Sequence, residues 1–207
     1  MDKRLAAYVT ELIGTYFLVL SIGLSTELGV FAPITIGCVL AAMIYAGGHL
    51  SKAHYNPAIT LAFWLRGHCE RRDVLPYIGA QLVGAVLAAG TVGVLVETRA
   101  FIVPSFELGP LVVAELVFTF ALAWVILNVA TAAGTAGNPY YGVAIGAVVV
   151  GGIYAVGPIS GAGFNPAVSF ALCLLGLAEW GRLGVYVLSQ VAGAVLATYA
   201  FKIVVRD

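Results

Sequence analysis

The chain alternates between long apolar stretches and short segments that contain Gly, Pro and charged residues. Six of the stretches are long enough to cross the apolar core of a bilayer, which takes about 20 residues of α-helix. They cover residues 5–26, 33–51, 75–97, 108–129, 139–158 and 180–203. We therefore predict six transmembrane helices, with both ends of the chain on the same side of the membrane.

Two further apolar segments, 56–66 and 165–176, are too short to span a bilayer. Each begins with the triplet Asn-Pro-Ala, formed by Asn56, Pro57 and Ala58 and again by Asn165, Pro166 and Ala167. Asparagine is a favoured N-cap and proline a favoured first helical residue, so each triplet predicts the start of a helix. We expect two re-entrant half-helices that begin inside the membrane.

The two halves of the chain resemble each other. A shift of 109 residues superposes the two triplets, and it places Tyr77, Gln81, Gly84, Ala85, Val86, Leu87 and Ala88 on Tyr186, Gln190, Gly193, Ala194, Val195, Leu196 and Ala197. Nearer the N-terminus, a shift of 104 places Glu11 on Glu115. Each half has an odd number of spans, so the second copy must be inverted in the membrane. We predict one domain, 1–207, made of inverted repeats 1–103 and 104–207.

The half-helices constrain what surrounds them. Non-helical backbone at membrane depth is tolerated only where it is buried in protein or lines a water-filled cavity. A polar passage between the two half-helices meets this requirement. Two helix N-termini would meet there, and each brings about half a positive elementary charge, so the passage should repel cations.

Composition and charge exclude several classes of protein. Hydrophobic residues make up 61% of the chain and charged residues 10%, whereas soluble chains contain about 25% charged residues. Ten basic and ten acidic residues give no net charge, and no basic run exceeds two residues. We therefore expect no soluble domain and no nucleic-acid partner.

The basic residues also predict the orientation. Eight fall on one side of the predicted spans: Lys3, Arg4, Lys52, Arg66, Arg71, Arg72, Lys202 and Arg206. Only Arg99 and Arg182 fall on the other. Because cytoplasmic loops carry an excess of Lys and Arg, both termini are expected in the cytoplasm.

Four segments in this order resemble signatures of the aquaporin and glycerol-facilitator family, also called the major intrinsic proteins. They are AYVTELIGTYFLVL, GGHLSKAHYNPAIT, QLVGAVLA and SGAGFNPAVSFAL. The resemblance covers essentially the whole chain. It implies an all-α membrane channel with six transmembrane helices and two re-entrant half-helices, which passes water and small uncharged solutes passively. It also implies a homotetramer in membrane lipid with one pore in each protomer, where Asn56 and Asn165 donate their amides to the passing molecule. We expect it in the plasma membrane, specifically a prokaryotic inner membrane.

The family resemblance places a selectivity filter at four positions: Ile36, Ile153, Ala162 and Val168. Similar proteins usually have an aromatic residue at the first position and arginine at the fourth, and water-specific members often have histidine at the second. The three departures argue against a strictly water-selective pore. Ser169 stands where glycerol facilitators usually have aspartate, so the chain departs from that branch too. Water, glycerol, urea, hydrogen peroxide, ammonia and uncharged arsenic hydroxides all remain candidate solutes.

Two carboxylates, Glu11 and Glu115, lie within predicted spans, where an ionisable residue is a functional candidate. They could relay protons. The family resemblance favours a supporting role, in which each carboxylate accepts N–H bonds from a re-entrant loop. We expect Gln81 and Gln190 to link helices, and Gly79, Gly84 and Gly193 to allow close helix packing.

Lys52 and His54 precede the first half-helix at the expected cytoplasmic mouth. Two interpretations of Lys52 are open: its amine simply extends into the cytoplasm, or its charge replaces part of the cation barrier lost with the filter arginine. His54 is expected to shape the loop. No Cys, Asp or Glu stands at ligand spacing from His49 or His54. His68, beside Cys69 and Glu70, could bind a metal but is more typical of a solvated turn, so we expect no metal and no cofactor.

Other functional classes are open but less favoured. A secondary transporter would share the inverted repeats and would need discontinuous helices around a midplane site. A non-conducting structural membrane protein would show no flux at all. An enzyme is not expected, because no nucleophile, base and orienting group occur at useful spacing.

Overall fold

The computed structural model describes residues 2–26, 28–96 and 105–205. The chain folds into eight α-helices within these ranges, without strands: α1 (Lys3–Leu24), α2 (Ala32–Ser51), α3 (Pro57–Arg66), α4 (Arg71–Leu95), α5 (Leu108–Thr131), α6 (Tyr141–Ser160), α7 (Pro166–Leu174) and α8 (Leu183–Val204). Six helices are long and apolar enough to cross a membrane, namely α1, α2, α4, α5, α6 and α8. The predicted number of spans is therefore confirmed, and α3 and α7 are the two short helices.

Most helix ends differ from the prediction by one to four residues, and two of these differences have a clear local cause. The third span, α4, begins at Arg71 rather than at residue 75, since the polar turn before the apolar stretch is also helical and places Asp73 in the first turn. An acidic residue there is favoured by the helix dipole. The second half-helix ends at Leu174, because Gly176 adopts a φ of 72° and the N–H of Leu177 bonds back to the carbonyl of Leu172.

The same helix pair forms in each half of the chain, since α1 packs along α4 and α5 packs along α8. The backbones approach closely at Gly84 and Gly193. A Cβ at Gly84 would lie 2.4 Å from the carbonyl oxygen of Leu12, and one at Gly193 would lie 2.3 Å from that of Leu116. Close packing at these two glycines is confirmed. The prediction for Gly79 is wrong, because a Cβ there would meet open space.

The half-helices lie between the two halves. Helix α3 contacts α8 of the second half, and α7 contacts α4 of the first, while α2 packs against α6. The alanines of both triplets, Ala58 and Ala167, are completely buried. Large apolar side chains such as Val94 and Leu188 are exposed on the outer faces of α4 and α8, as lipid-facing residues would be.

Several contacts bring most of the basic residues to one end of the bundle. Arg4 lies 3.8 Å from Asp73, Lys52 donates to the carbonyl of His68, and Arg66 lies over the ring of Phe201. We call this the basic end; its described basic residues are Lys3, Arg4, Lys52, Arg66, Arg71, Arg72 and Lys202.

Of the two basic residues predicted on the other side, Arg182 donates to the carbonyl of Phe106, just before α5. The other, Arg99, lies outside the described residues, as does Arg206 of the basic group.

Candidate functional site

The site is built on the starts of the two half-helices, which have the same local structure. Asn56 and Asn165 are extended N-caps with φ of −160° and −156°. Their Oδ1 atoms accept hydrogen bonds of 2.9 Å from the N–H groups of Ala58 and Ala167. The prolines follow as first helical residues, where a missing N–H costs nothing. The predicted helix starts are confirmed at both triplets.

The asparagines also join the two halves. Nδ2 of Asn56 donates to the carbonyl of Phe164 at 2.9 Å, and Nδ2 of Asn165 donates to the carbonyl of Tyr55 at 2.8 Å. An asparagine amide carries two N–H groups. One therefore holds the opposite loop in place, and the other is available to the space between the helix tips.

The loop before each half-helix runs through left-handed backbone. Positive φ angles occur at Ala53 and Tyr55 in the first loop, and at Ala162 and Phe164 in the second. Such a conformation costs an ordinary residue about 1 kcal/mol or more. The resulting turns leave the carbonyls of residues 53, 54, 162 and 163 without a hydrogen-bond donor from the described part of the chain.

Glu11 stabilises the first loop with four hydrogen bonds and is fully buried. Its carboxylate accepts from the hydroxyl of Ser51 (2.7 Å), the N–H groups of His54 (2.9 Å) and Tyr55 (2.7 Å), and the amide of Gln81 (2.7 Å). All four partners donate, so an ionised carboxylate is fully satisfied there.

Glu115 repeats this arrangement in the second half. It accepts from Ser160 (2.7 Å), from the N–H groups of Gly163 (2.9 Å) and Phe164 (2.7 Å), and from Gln190 (2.8 Å). Neither glutamate lines the central cavity. This geometry favours the supporting role over a proton relay.

Between the helix tips lies a narrow central cavity of about 50 Å³. That volume is large enough to admit water, which needs at least about 10–15 Å³. Asn56, Asn165 and residues of both loops supply its polar surface. Branched aliphatic side chains of α1, α2, α5 and α6 form the rest of the wall. A small molecule in this cavity would meet a few polar groups along one side and hydrocarbon elsewhere.

Comparison with known proteins identifies the family. The family model described as major intrinsic protein matches residues 2–149 and, in a second match, residues 112–207. The chain belongs to the major intrinsic protein family. Its relatives within that family include aquaporin NIP1-1 of Oryza sativa subsp. japonica, which is 36% identical over 95% of this chain and 73% of that protein. Aquaporin AqpM of Methanothermobacter thermautotrophicus is 33% identical over 94% of this chain and 95% of that protein.

The fold is that of a solved major intrinsic protein. The X-ray structure of the aquaglyceroporin from Plasmodium falciparum superposes with a TM-score of 0.83 and covers 97% of this chain and 96% of that one, at 20% identity. The arrangement of six spans and two half-helices is thus the aquaporin fold.

All four residues predicted as a filter, Ile36, Ile153, Ala162 and Val168, line the central cavity. Their side chains carry no hydrogen-bonding group. Val168 lies in the first turn of α7 and is 4% exposed, so its side chain packs next to the triplet. It brings no charge to the cavity, unlike the arginine usual at this position in similar proteins. The wall at these positions is wholly apolar.

His54 and Lys52 have different surroundings. The buried ring of His54 packs between Phe63 and Tyr77, with centroid distances of 4.2 and 4.9 Å, and its Nδ1 lies 3.1 Å from the hydroxyl of Thr60. It lines the central cavity as well. Lys52 is exposed, and its Nζ donates to the carbonyl of His68 at 2.5 Å.

Sequence reasoning missed two tyrosines that hold the loops. The hydroxyl of Tyr77 donates to the carbonyl of Ser51 at 3.0 Å, and that of Tyr186 donates to the carbonyl of Ser160 at 2.5 Å. The two tyrosines are aligned by the 109-residue shift, and so are the two serines. This coincidence was the signal that could have identified them.

Proposed function

We propose that the protein is a passive channel for small uncharged solutes and water, with the central cavity as the narrowest part of its pore. The observation behind this proposal is a narrow cavity between two opposed half-helices, with hydrocarbon on most of its wall and asparagine amides at its centre. A molecule that exchanges its hydration shell for these few groups can pass, provided that it is small and neutral.

Ions should pass poorly. Each half-helix directs the partial positive charge of its N-terminus toward the middle of the pore. No acidic side chain lines the central cavity among the residues that the structure describes, so a cation there would lose its water without gaining a counter-charge. The two asparagine donors also force a file of water molecules to reorient, which interrupts proton transfer.

The apolar filter bears on which solutes pass. At Ile36, Ile153, Ala162 and Val168 a water molecule finds no side-chain partner. A solute with a carbon skeleton or weak polarity loses less on leaving water. We therefore propose glycerol, urea, hydrogen peroxide, ammonia and uncharged arsenic hydroxides as candidate solutes alongside water.

Stopped-flow light scattering of proteoliposomes tests this function with a panel of these solutes. Ile36→Trp should fill the cavity and abolish the protein-dependent flux, since Ile36 lies on its wall. Ile34→Trp is the matched control, because Ile34 is on the same helix and 46% exposed. Equal loss of flux in both variants, or no flux in the wild type, would refute the proposed pore.

We also propose a homotetramer in the plasma membrane, with both termini in the cytoplasm. The family resemblance supports the tetramer, and the collection of basic residues at one end supports the orientation. The relatives come from both plants and archaea, so we propose the plasma membrane without restricting it to a prokaryotic inner membrane. Cross-linking of the purified protein and protease access to an N-terminal tag test the two proposals.

The inverted repeats 1–103 and 104–207 are likewise a proposal. The matching bonds around Glu11 and Glu115 support it. The boundary itself lies outside the described residues.

A further inference from the structure

Lys52 occupies a backbone position that suits glycine. It caps the end of α2 with φ 68° and ψ 7°, in the left-handed region. The residue related to it by the repeat is Gly161, which caps α6 with φ 81° and ψ −4°. Glycine adopts this conformation freely, whereas a lysine is strained there. Backbone strain that is retained at only one of two repeat-related positions points to a function for the side chain there.

The side chain lies on the route between the basic end and the central cavity. Lys52 lines a wide vestibule at that end. The vestibule shares part of its wall with the central cavity, namely Ile44, Ala53, Ile126 and Ile145. A solute that leaves or enters the central cavity at this end therefore passes through the space that Lys52 borders.

The ammonium group is held at the mouth by the end of the first half-helix. Nζ donates to the carbonyl of His68, and His68 bonds back to Phe63 in the last turn of α3. The C-terminus of a helix carries partial negative charge, which favours a cation. The hydrogen bond to His68 places the charge beside the vestibule.

Nearby carboxylates do not neutralise this charge. Asp73 accepts the hydroxyl of Tyr8 at 2.6 Å and lies 3.8 Å from Nε of Arg4. Glu70 pairs with Arg72. Within the described ranges, no carboxylate forms an ion pair with Lys52. The inner mouth therefore carries a net positive group of its own.

We propose that Lys52 is a specificity-determining residue whose charge repels cations at the inner mouth of the pore. This inference rests on the proposed channel function. A role for the charge accounts for the strained backbone at residue 52. Lys52 also gives the pore a cationic side chain, which the apolar ring of filter residues lacks. Gly161, the residue related to Lys52 by the repeat, brings no side-chain charge to the opposite mouth.

A charge series at position 52 tests the proposal: Lys52→Arg, Lys52→Gly and Lys52→Glu. Glycine relieves the strained backbone, so Lys52→Gly should fold at least as well as the wild type. Proteoliposomes loaded with potassium sulfate and diluted into choline sulfate report potassium leak as a membrane potential, read with a voltage-sensitive dye. Water and glycerol fluxes are measured on the same vesicles.

At low ionic strength the potassium leak should rise about 15-fold in Lys52→Gly, for a unit charge acting over about 10 Å at an effective dielectric constant of about 20. It should rise further in Lys52→Glu and stay unchanged in Lys52→Arg. In about 1 M salt, where the Debye length is about 3 Å, the differences should nearly vanish. Neutral fluxes should be the same in all four proteins.

The two proposals fail in different ways. Equal potassium leak across the series, including no measurable leak in any member, would overturn the role of Lys52 while neutral flux stands. Absence of neutral flux from the wild type would overturn the channel itself, and with it any role of Lys52 in its selectivity.

Discussion

Replacing Glu11 by glutamine removes the charge that holds the first re-entrant loop and keeps the shape of the side chain. In the native protein, one carboxylate oxygen accepts from Ser51 and the N–H of His54, and the other accepts from the N–H of Tyr55 and from Gln81. A glutamine amide offers one acceptor oxygen and one NH₂ group. Whichever way the amide turns, its NH₂ group faces one of the two backbone N–H groups.

The loss of stability can be derived from these hydrogen bonds. One buried N–H group left without an acceptor costs about 1–3 kcal/mol, and hydrogen bonds to a charged group are stronger than neutral ones by about 1 kcal/mol. We therefore expect Glu11→Gln to lower the free energy of unfolding by about 2–4 kcal/mol. Glu115→Gln should cost the same within about 1 kcal/mol, because its four bonds match.

Unfolding in detergent micelles with an increasing fraction of sodium dodecyl sulfate, followed by tryptophan fluorescence, measures these values. Glu70→Gln is the control. The Glu70 side chain is 62% exposed and pairs only at the surface with Arg72, so the change should stay within about 0.5 kcal/mol. The reasoning is refuted if Glu11→Gln and Glu70→Gln unfold alike. Flux through the folded Glu11→Gln variant should fall modestly and should not become dependent on a pH gradient.

Two further predictions concern the filter and the helix contacts. Val168→Arg should cut the flux of solutes larger than water more than water flux itself, because a charged, forked side chain narrows the cavity and adds donors. Paired solute and water permeabilities at equal protein content check this. An unchanged ratio of solute to water permeability in a correctly assembled protein would show that Val168 does not line the narrowest point. Gly84→Ala and Gly193→Ala should each destabilise the protein by about 1–3 kcal/mol, since the added Cβ would meet a carbonyl oxygen of the neighbouring helix. Gly90→Ala, on the same helix as Gly84 but with open space around it, should not lower the midpoint of unfolding, because alanine is the better helix former.

The sequence was sufficient to predict the elements of the fold, for reasons visible at particular residues. The bilayer sets the length of a span, and Asn-Pro is a strong local signal for a helix start, so the amino-acid pattern alone locates α3 and α7. Helix ends were less certain. The polar turn at Arg71 carries no apolar signal although it is helical.

Tertiary contacts of the site were harder to predict. No local pattern indicates that Asn56 bonds to the carbonyl of Phe164, because that contact joins residues 108 positions apart. Gly79 shows a second difficulty. A small residue in a transmembrane helix permits close packing, but whether packing occurs depends on the position of the neighbouring helix, which the sequence does not show.

The most direct test of the channel is whether a neutral solute ever accumulates inside liposomes above its external concentration. A secondary transporter would use two states and a coupling group, yet Glu11 and Glu115 are occupied by four donors each. Purified protein in liposomes, given radiolabelled glycerol or urea under an imposed proton gradient, distinguishes the two. We predict that the internal concentration rises only to the external one, with or without the gradient. Accumulation above the external concentration that collapses with a protonophore would contradict a passive channel.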